Sequence, residues 1–135
     1  MVDGCYSFWQ GGIFPLIHHV MSRNNIKLDE NCWLFDQTSL QDYILLCCQY
    51  PSGGLIDKPG KSRDYYHTCY CLSGLSVSQH CFSGTKKVQG DPNNLLEPTH
   101  PVFNICVKKV GPAMNYFNKK SVIVLNANEK SHSDI

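Results

Sequence analysis

Apolar side chains recur along the chain mainly at the three- and four-residue intervals that are typical of helices. The first such stripe consists of Trp9, Ile13, Leu16, Ile17 and Val20. Because Gly11–Gly12 and Pro15 interrupt it, the pattern predicts a kinked helix or two short helices, ending at Asn24–Asn25.

Two further helices are predicted on either side of a Gly/Pro-rich connection that runs from Tyr50 to Arg63. The earlier one spans about Asp36 to Gln49, with Asp36 or Thr38 as its N-cap. Its buried face is expected to consist of Leu40, Tyr43, Ile44 and Cys47. The later one spans about Asp64 to Cys81, and its side chains on one side are Tyr66, Tyr70, Ser73 and Val77.

The C-terminal third begins with a polar, turn-rich stretch from Gly84 to Pro98. A last helical stretch is predicted near Pro101 to Asn118, with Gly111–Pro112 inside it. Either this helix breaks at the pair or it starts at Pro112, where proline is tolerated. The tail, residues 121–135, begins apolar and turns polar, and we expect it to be irregular.

Composition narrows the class of protein. With 135 residues, 42% hydrophobic and 17% charged, the chain makes one domain at most and is neither disordered nor fibrous. Its net charge of +1 argues against a nucleic-acid or membrane-surface protein, and no apolar run approaches the ~18 residues of a membrane span. Without a recognisable secretory signal, we expect a cytoplasmic protein whose eight cysteines are reduced and mostly buried.

Three residues of the types that bind zinc are candidate metal ligands: Asp3, Cys5 and His67. Asp3 and Cys5 can converge where a helix starts, with Gly4 freeing the backbone between them. On spacing alone the favoured interpretation is structural: an N-capping aspartate, a buried cysteine and a core histidine.

A dense charge cluster precedes the helix predicted from Asp64. Lys58, Lys61 and Arg63 are candidates for binding an anion there, and Asp57 for holding a magnesium ion against phosphate oxygens. The alternative is a solvated loop of mixed charge. Aromatic residues flank both groups and suggest either core packing or the wall of an apolar substrate pocket: Tyr6, Phe8, Trp9, Tyr65, Tyr66 and Tyr70.

Three segments of the chain have a distinctive sequence: D-G-C-Y-S-F-W-Q-G-G (Asp3–Gly12), Q-Y-P-S-G-G-L-I-D-K-P-G-K-S-R-D-Y-Y-H-T-C-Y-C-L-S-G-L (Gln49–Leu75) and P-T-H-P-V-F-N-I (Pro98–Ile105). All three resemble the protein farnesyltransferase beta-subunit family. The resemblance implies an all-α fold, an alpha–alpha toroid of helix pairs of which residues 1–120 form a C-terminal part. It also implies a heterodimer with an alpha subunit, and transfer of a farnesyl group from farnesyl diphosphate to the cysteine of a C-terminal C-a-a-X sequence.

Site residues follow from the same resemblance, position by position. Asp3, Cys5 and His67 match three zinc ligands, and Asp57 matches a carboxylate associated with magnesium at the diphosphate. Tyr6 matches a donor to the diphosphate, and Lys61 lies beside it. The aromatic substrate-pocket residues that match are Trp9 along the isoprenoid, Tyr66 near the C-a-a-X side chains and Tyr70, which limits prenyl length.

Several departures qualify these expectations. The resemblance starts almost at the first zinc ligand, so we expect a truncated product or incomplete gene model that is inactive alone and leaves apolar helix faces exposed. Gly111–Pro112 interrupts a helix that the family continues. Alternatives are the type I geranylgeranyltransferase beta subunit, against which Asp57 and Tyr70 argue, a non-catalytic module that binds zinc or the alpha subunit, and a small structural zinc protein.

Overall fold

The computed structural model describes residues 2–26, 33–80 and 84–120 of the chain. Its helices are α1 (Tyr6–Trp9), α2 (Ile13–Arg23), α3 (Gln37–Cys47), α4 (Tyr65–Gln79) and α5 (Val107–Phe117), with a short 3-10 turn at Pro92–Asn94. Within the described ranges the extended pairing is limited to isolated antiparallel bridges, such as Gln49 with Leu55. The prediction of an all-α fold is confirmed.

The predicted break in the first apolar stripe is present, and it lies at the glycine pair. Gly11 and Gly12 are buried between α1 and α2, whereas Pro15 lies in the first turn of α2, where a backbone donor is not needed. Most apolar side chains of α2 are exposed, with Ile13 at 50% and Val20 at 57%, whereas Phe14 is half-buried and stacks on Phe35. Along the predicted stripe, α2 therefore presents a largely exposed apolar face.

Helices α3 and α4 begin at the aspartates that the sequence indicates. The Asp36 carboxylate accepts a hydrogen bond from Ser39 N at 3.0 Å, and that of Asp64 accepts one from His67 N at 2.7 Å. Each bond satisfies one of the amide groups that a helix leaves unpaired at its start. Asp36 rather than Thr38 is thus the cap of α3.

The hydrophobic core lies between α3, α4 and the loop that joins them. Its buried members are Ile44, Cys48, Leu55, Ile56, Cys71 and Leu75. Of the face predicted for α3, Ile44 is fully buried, Leu40 and Tyr43 pack against the core and Cys47 is half-buried. Helix α4 packs against both α1 and α3, so its second half is buried on all sides rather than along one stripe.

Two buried glutamines hold the non-helical segment 84–98 against the helices. Gln41 donates to the Ser78 and Lys87 carbonyls, and Gln79 donates to the Asn94 carbonyl and accepts from Leu96 N. Buried amides require such partners, because an unpaired polar group in the interior is costly. These bonds bring the polar segment onto the α3–α4 pair.

Both expectations for the last helix are wrong. Helix α5 runs without a break from Val107 to Phe117, with Pro112 inside it. Pro112 removes one intrahelical hydrogen bond, the one to the Lys108 carbonyl, and α5 is exposed enough for water to reach that backbone. The tail predicted to be irregular lies outside the described residues.

Within the described ranges, none of the helices combines the length and the apolar character that crossing a bilayer requires.

Candidate metal centre

Two of the predicted ligands lie in the turn that leads into α1. The Oδ1 atom of Asp3 accepts a hydrogen bond from Cys5 N at 2.9 Å, and the Asp3 carbonyl accepts one from Tyr6 N at 3.2 Å. Gly4, between the two ligands, donates to the Asp57 carbonyl at 2.7 Å. The turn holds the Asp3 and Cys5 side chains on one side of the chain, and only 4% of Cys5 is exposed.

The third ligand, His67, lies in the first turn of α4. Its Nδ1 atom is 2.6 Å from Asp64 Oδ2, and its Nε2 atom is 3.4 Å from Asp3 Oδ1. The bond to Asp64 favours a proton on Nδ1, which leaves the lone pair of a neutral imidazole on Nε2, facing the ligand turn. Asp64 therefore caps α4 and orients the histidine at the same time.

One donor atom each from Asp3, Cys5 and His67 lie within 4.8 Å of one another. Usual bond lengths place the ligand atoms of a tetrahedral zinc site roughly 3.3–3.8 Å apart, so the 3.4 Å between Nε2 and Oδ1 already fits. Carboxylate, thiolate and imidazole are all common zinc ligands, and three of them leave a fourth position open. The donor set therefore fits a zinc ion, and the three donor atoms would need to move together by at most about 1 Å to bind it.

Electrostatics at the cluster reflect the closeness of these groups. Burial would raise the pKa of Asp3, but hydrogen bonds from Cys5 and the charges of His67 and Lys58 lower it overall. Burial raises the pKa of the Cys5 thiol, and its hydrogen bond with Asp3 adds to the effect. Burial would lower the pKa of His67, but the hydrogen bond and charge of Asp64, then the charge of Asp3, raise it. A divalent cation that binds here must therefore displace protons.

The Asp57 loop, the part of the α3–α4 connection around Asp57, contacts the ligand turn, residues 3–5, through the hydrogen bond from Gly4 N to the Asp57 carbonyl. The Oδ2 atom of Asp57 is 3.4 Å from Lys58 Nζ, whereas Oδ1 is buried and has no hydrogen-bond partner within the described ranges. A buried carboxylate oxygen without a donor is costly, and a cation would satisfy it. Lys61 is exposed in the next turn, whose backbone bond joins Lys61 N to the Lys58 carbonyl at 3.2 Å.

Arg63 does not extend the anion site as the sequence suggested. Its Nη1 atom donates to the carbonyls of Ser52 and Gly53 at 2.7 and 2.6 Å, and its guanidinium lies 5.5 Å from the Tyr50 ring centroid. A guanidinium whose donors close its own loop stabilises that loop. Arg63 is therefore a structural residue of the connection between α3 and α4.

Three of the predicted aromatic residues, Trp9, Tyr66 and Tyr70, pack together as an aromatic wall. Trp9 and Tyr70 ring centroids are 4.5 Å apart, Tyr66 and Tyr70 are 4.8 Å apart, and Trp9 Nε1 donates to Tyr66 Oη at 2.9 Å. Contact with the Cys5 thiol raises the pKa of Tyr66, which places this aromatic wall beside the ligand cluster. Trp9 and Tyr66 remain 47% and 48% exposed, so the wall is open for a ligand.

Tyr65 and Tyr6 lie elsewhere. Tyr65 is 96% exposed and borders a separate cavity of about 450 Å³ beside Arg63, so it does not join the wall. Tyr6 lines a cavity of about 320 Å³ together with Asp3, on another side of α1. Tyr6 is thus near the ligand cluster but apart from the aromatic wall.

Two residues of the site were not identified as functional from sequence. Asp64 was expected only to start a helix, although its spacing of three residues from His67 allows an ion pair on one helix turn. Gly4 is predicted from the sequence only to free the backbone, whereas it also packs against the buried thiols of Cys48 and Cys71. The spacing of Asp64 and His67 could have indicated their contact from the sequence. The role of Gly4 could not be found in this way, because it depends on packing between segments that are distant in the chain.

The fold and this site together define the class of protein. Residues 1–105 match the family described as "Prenyltransferase alpha-alpha toroid domain", and the chain belongs to that family. Among curated proteins it is similar to those named "Protein farnesyltransferase subunit beta". The relative from Schizosaccharomyces pombe is 47% identical over 76% of this chain and 29% of the relative. That from Pisum sativum is 35% identical over 88% and 43%, and that from Saccharomyces cerevisiae is 35% identical over 87% and 28%. The chain spans less than half the length of each of these relatives.

Proposed function

We propose that this chain supplies the zinc centre and the magnesium-associated carboxylate of a protein farnesyltransferase beta subunit. The observation that carries the proposal is the convergence of Asp3, Cys5 and His67 donor atoms within 4.8 Å, from two helix starts separated by about sixty residues of sequence. The reaction is transfer of a farnesyl group from farnesyl diphosphate to the cysteine thiol of a protein that ends in C-a-a-X.

Each ligand has a defined part in holding the metal. Asp3 and Cys5 are held by the turn before α1, and the Nδ1 contact with Asp64 directs His67 Nε2 towards them. When bound, a zinc ion supplies positive charge that lowers the pKa of a substrate thiol at the open position. Only 4% of Cys5 is exposed, and Tyr66 of the aromatic wall contacts its thiol.

The remaining residues face the prenyl donor. Asp57 would hold magnesium through its carboxylate, and Tyr6 and Lys61 would donate to the diphosphate, whose negative charge increases as the bond to the first prenyl carbon breaks. Trp9 and Tyr70 would line the isoprenoid, and Tyr66 the C-a-a-X side chains. Their packed rings hold an apolar chain in line with the thiol and exclude water.

The activity is proposed for the site within a complete toroid and its alpha subunit, both in the cytoplasm. The chain alone is expected to transfer no farnesyl group, because it spans less than half the length of each of the relatives compared above. The exposed apolar side chains of α2 are the surface on which other parts of such an assembly would pack.

The competing geranylgeranyl function is distinguished by the residues at positions 57 and 70. The resemblance associates Asp57 and Tyr70 with the farnesyl enzyme, whereas the geranylgeranyl relative typically has lysine and phenylalanine there, and Tyr70 lies in the aromatic wall between Trp9 and Tyr66. A farnesyl donor is therefore favoured over a geranylgeranyl donor.

Zinc binding tests the metal centre directly. The purified chain, freed of metal and titrated with zinc against a chromophoric chelator, is expected to bind one equivalent. Cys5→Ala and His67→Ala should each abolish this binding, whereas Cys69→Ala, which removes an exposed thiol of α4, should leave it unchanged. Equimolar zinc retained by His67→Ala would contradict the ligand set and favour a structural zinc protein.

A chimera tests the reaction. Residues 2–105 of this chain replace the matching segment of the Schizosaccharomyces pombe relative, which is co-expressed with its alpha subunit. Transfer of farnesyl to a C-a-a-X peptide, abolished by Cys5→Ala and preserved by Cys69→Ala, is the expected result. Preference for geranylgeranyl diphosphate would identify the rival enzyme. Zinc binding without transfer by a folded chimera would identify a non-catalytic module.

A further inference from the structure

The ligand turn contacts the Asp57 loop through the backbone at Gly4. Gly4 N donates to the Asp57 carbonyl at 2.7 Å, between the two ligands Asp3 and Cys5. The turn that carries Asp3 and Cys5 and the loop that carries Asp57 are thereby joined by one short backbone hydrogen bond.

Two buried thiols contact the backbone carbonyls of Ile56 and Asp57 in the same loop. Cys48 Sγ lies 3.7 Å from the Asp57 carbonyl oxygen, and Cys71 Sγ lies 3.8 Å from that of Ile56. Both cysteines are 0% exposed, and they come from α3's C-terminal end and from α4. Thiols are weak donors, so their main contribution here is to fill space against the loop.

Gly4 fits against these thiols because it has no β-carbon. A β-carbon at Gly4 would lie 2.5 Å from Cys71 Sγ, 3.0 Å from Cys48 Sγ and 3.1 Å from the Ile56 carbonyl oxygen. The first distance is far below van der Waals contact, and a fully buried cysteine has little freedom to move. Any larger residue must therefore displace the ligand turn, the loop or α4.

We propose that the Gly4–Cys71 contact is a positioning element that sets the Asp3–Cys5 ligand turn relative to the Asp57 loop and to His67 on α4. Cys71 lies on the same helix as His67. The contact of Gly4 with Cys71 therefore fixes the position of the Asp3–Cys5 turn relative to the helix that carries His67. The proposal rests on the proposed metal centre for its functional consequence. The roles of Gly4 and Cys71 are those of positioning residues, since neither is placed among the metal donors.

A second-site suppressor test separates this proposal from a general effect on stability. Cobalt(II) replaces zinc in the full chain, because its thiolate charge-transfer and d–d absorption report on ligand identity and geometry. Gly4→Ala is expected to weaken cobalt binding about tenfold or more and to change the spectrum. Gly4→Ala/Cys71→Ala, which removes the closest obstacle, should restore the spectrum and bring affinity to within about threefold of Cys71→Ala.

The matched control is Gly111→Ala, which places the same methyl group where no atom lies within 4 Å apart from its chain neighbours and the backbone of its own helix. It should leave cobalt affinity and spectrum unchanged. Circular dichroism establishes that each variant is folded under the assay conditions. If Gly4→Ala does not fold, the double variant decides the matter, since it must fold and bind cobalt with the spectrum of the unsubstituted chain.

The results that overturn the inference differ from those that overturn the metal centre. An unsubstituted chain that binds no cobalt contradicts the metal centre. An unsubstituted chain that binds cobalt, with Gly4→Ala equal to it or the double variant no better than Gly4→Ala, contradicts the positioning role.

Discussion

The side chain of Ser7 in α1 occupies the space that a β-carbon would need at Gly74 in α4. Such an atom would overlap the Ser7 Oγ and Cβ atoms, and Ser7 Oγ also lies 3.4 Å from the Tyr70 carbonyl oxygen to which it donates. The backbones of the two helices therefore approach closely at this point. Since Cys5 directly precedes α1 and His67 lies in the first turn of α4, this contact joins the two helices at whose starts the candidate ligands lie.

Gly74→Ala is expected to lower the free energy of unfolding by about 1–3 kcal/mol, because the added methyl group cannot be accommodated without separating α1 from α4. Urea denaturation followed by circular dichroism measures this change. Gly111→Ala, in the exposed helix α5, should change the free energy of unfolding by less than about 1 kcal/mol, because the helix propensity gained by alanine is offset by the steric restriction that Pro112 places on the residue before it. Equal effects of the two substitutions would contradict close packing at Ser7.

Asp64→Asn tests the orientation of His67. The asparagine still caps α4, but it no longer offers a carboxylate to Nδ1 at 2.6 Å, so the zinc dissociation constant should rise about 10–100-fold. Competition with a chelator measures it. Asp36→Asn makes the same change at the cap of α3, away from the cluster, and should leave zinc affinity unchanged. An equal loss of zinc affinity in Asp64→Asn and Asp36→Asn would contradict the orientation of His67 by Asp64.

The carboxylate cap at Asp36 should make the stability of the folded chain depend on pH. The hydrogen bond from Ser39 N, together with that from its hydroxyl, lowers the pKa of Asp36 below 3.8. A carboxyl group with a depressed pKa stabilises the fold above its usual pKa, and this contribution is lost as the pH falls through the lower value. The difference in melting temperature between the unsubstituted chain and Asp36→Asn should therefore narrow on acidification from neutral pH to about pH 3.

For comparison, Thr38→Ala removes the other hydroxyl or carboxyl group that the sequence offered as a cap. Its effect on the melting temperature should be small and constant across the same pH range, because Thr38 does not titrate. If the difference in melting temperature between the unsubstituted chain and Asp36→Asn is as constant across this pH range as that for Thr38→Ala, the Asp36 carboxylate does not cap α3.

Trp9 tests the aromatic wall. Trp9→Ala removes the ring that packs on Tyr70 at 4.5 Å and donates to Tyr66, so the KM of the chimera for farnesyl diphosphate should rise about three- to tenfold. Tyr65→Ala removes a ring that is 96% exposed and faces another cavity, and it should leave that KM unchanged. A loss of zinc by Trp9→Ala would show that the ring instead supports the ligand cluster.

Local chemistry made much of this structure predictable. The helical spacing around Ile44, the carboxylate caps at Asp36 and Asp64 and the break at Gly11–Gly12 depend on a few neighbouring residues, and the structure has all of them. The spacing of Asp3, Cys5 and His67 supports a metal site only weakly, because Asp3 and His67 are far apart in sequence. The prediction of these three ligands became specific only through the family resemblance of the segments around them.

Contacts between distant segments decided the rest. The sequence does not distinguish exposed Tyr65 from Tyr66 in the wall, or the exposed stripe of α2 from a buried one, because both depend on what packs alongside. Gln41 and Gln79 are polar residues that are buried because the turns of segment 84–98 supply their partners. Pattern along the chain sets which helices form, whereas burial and close approach depend on the neighbours that folding brings together.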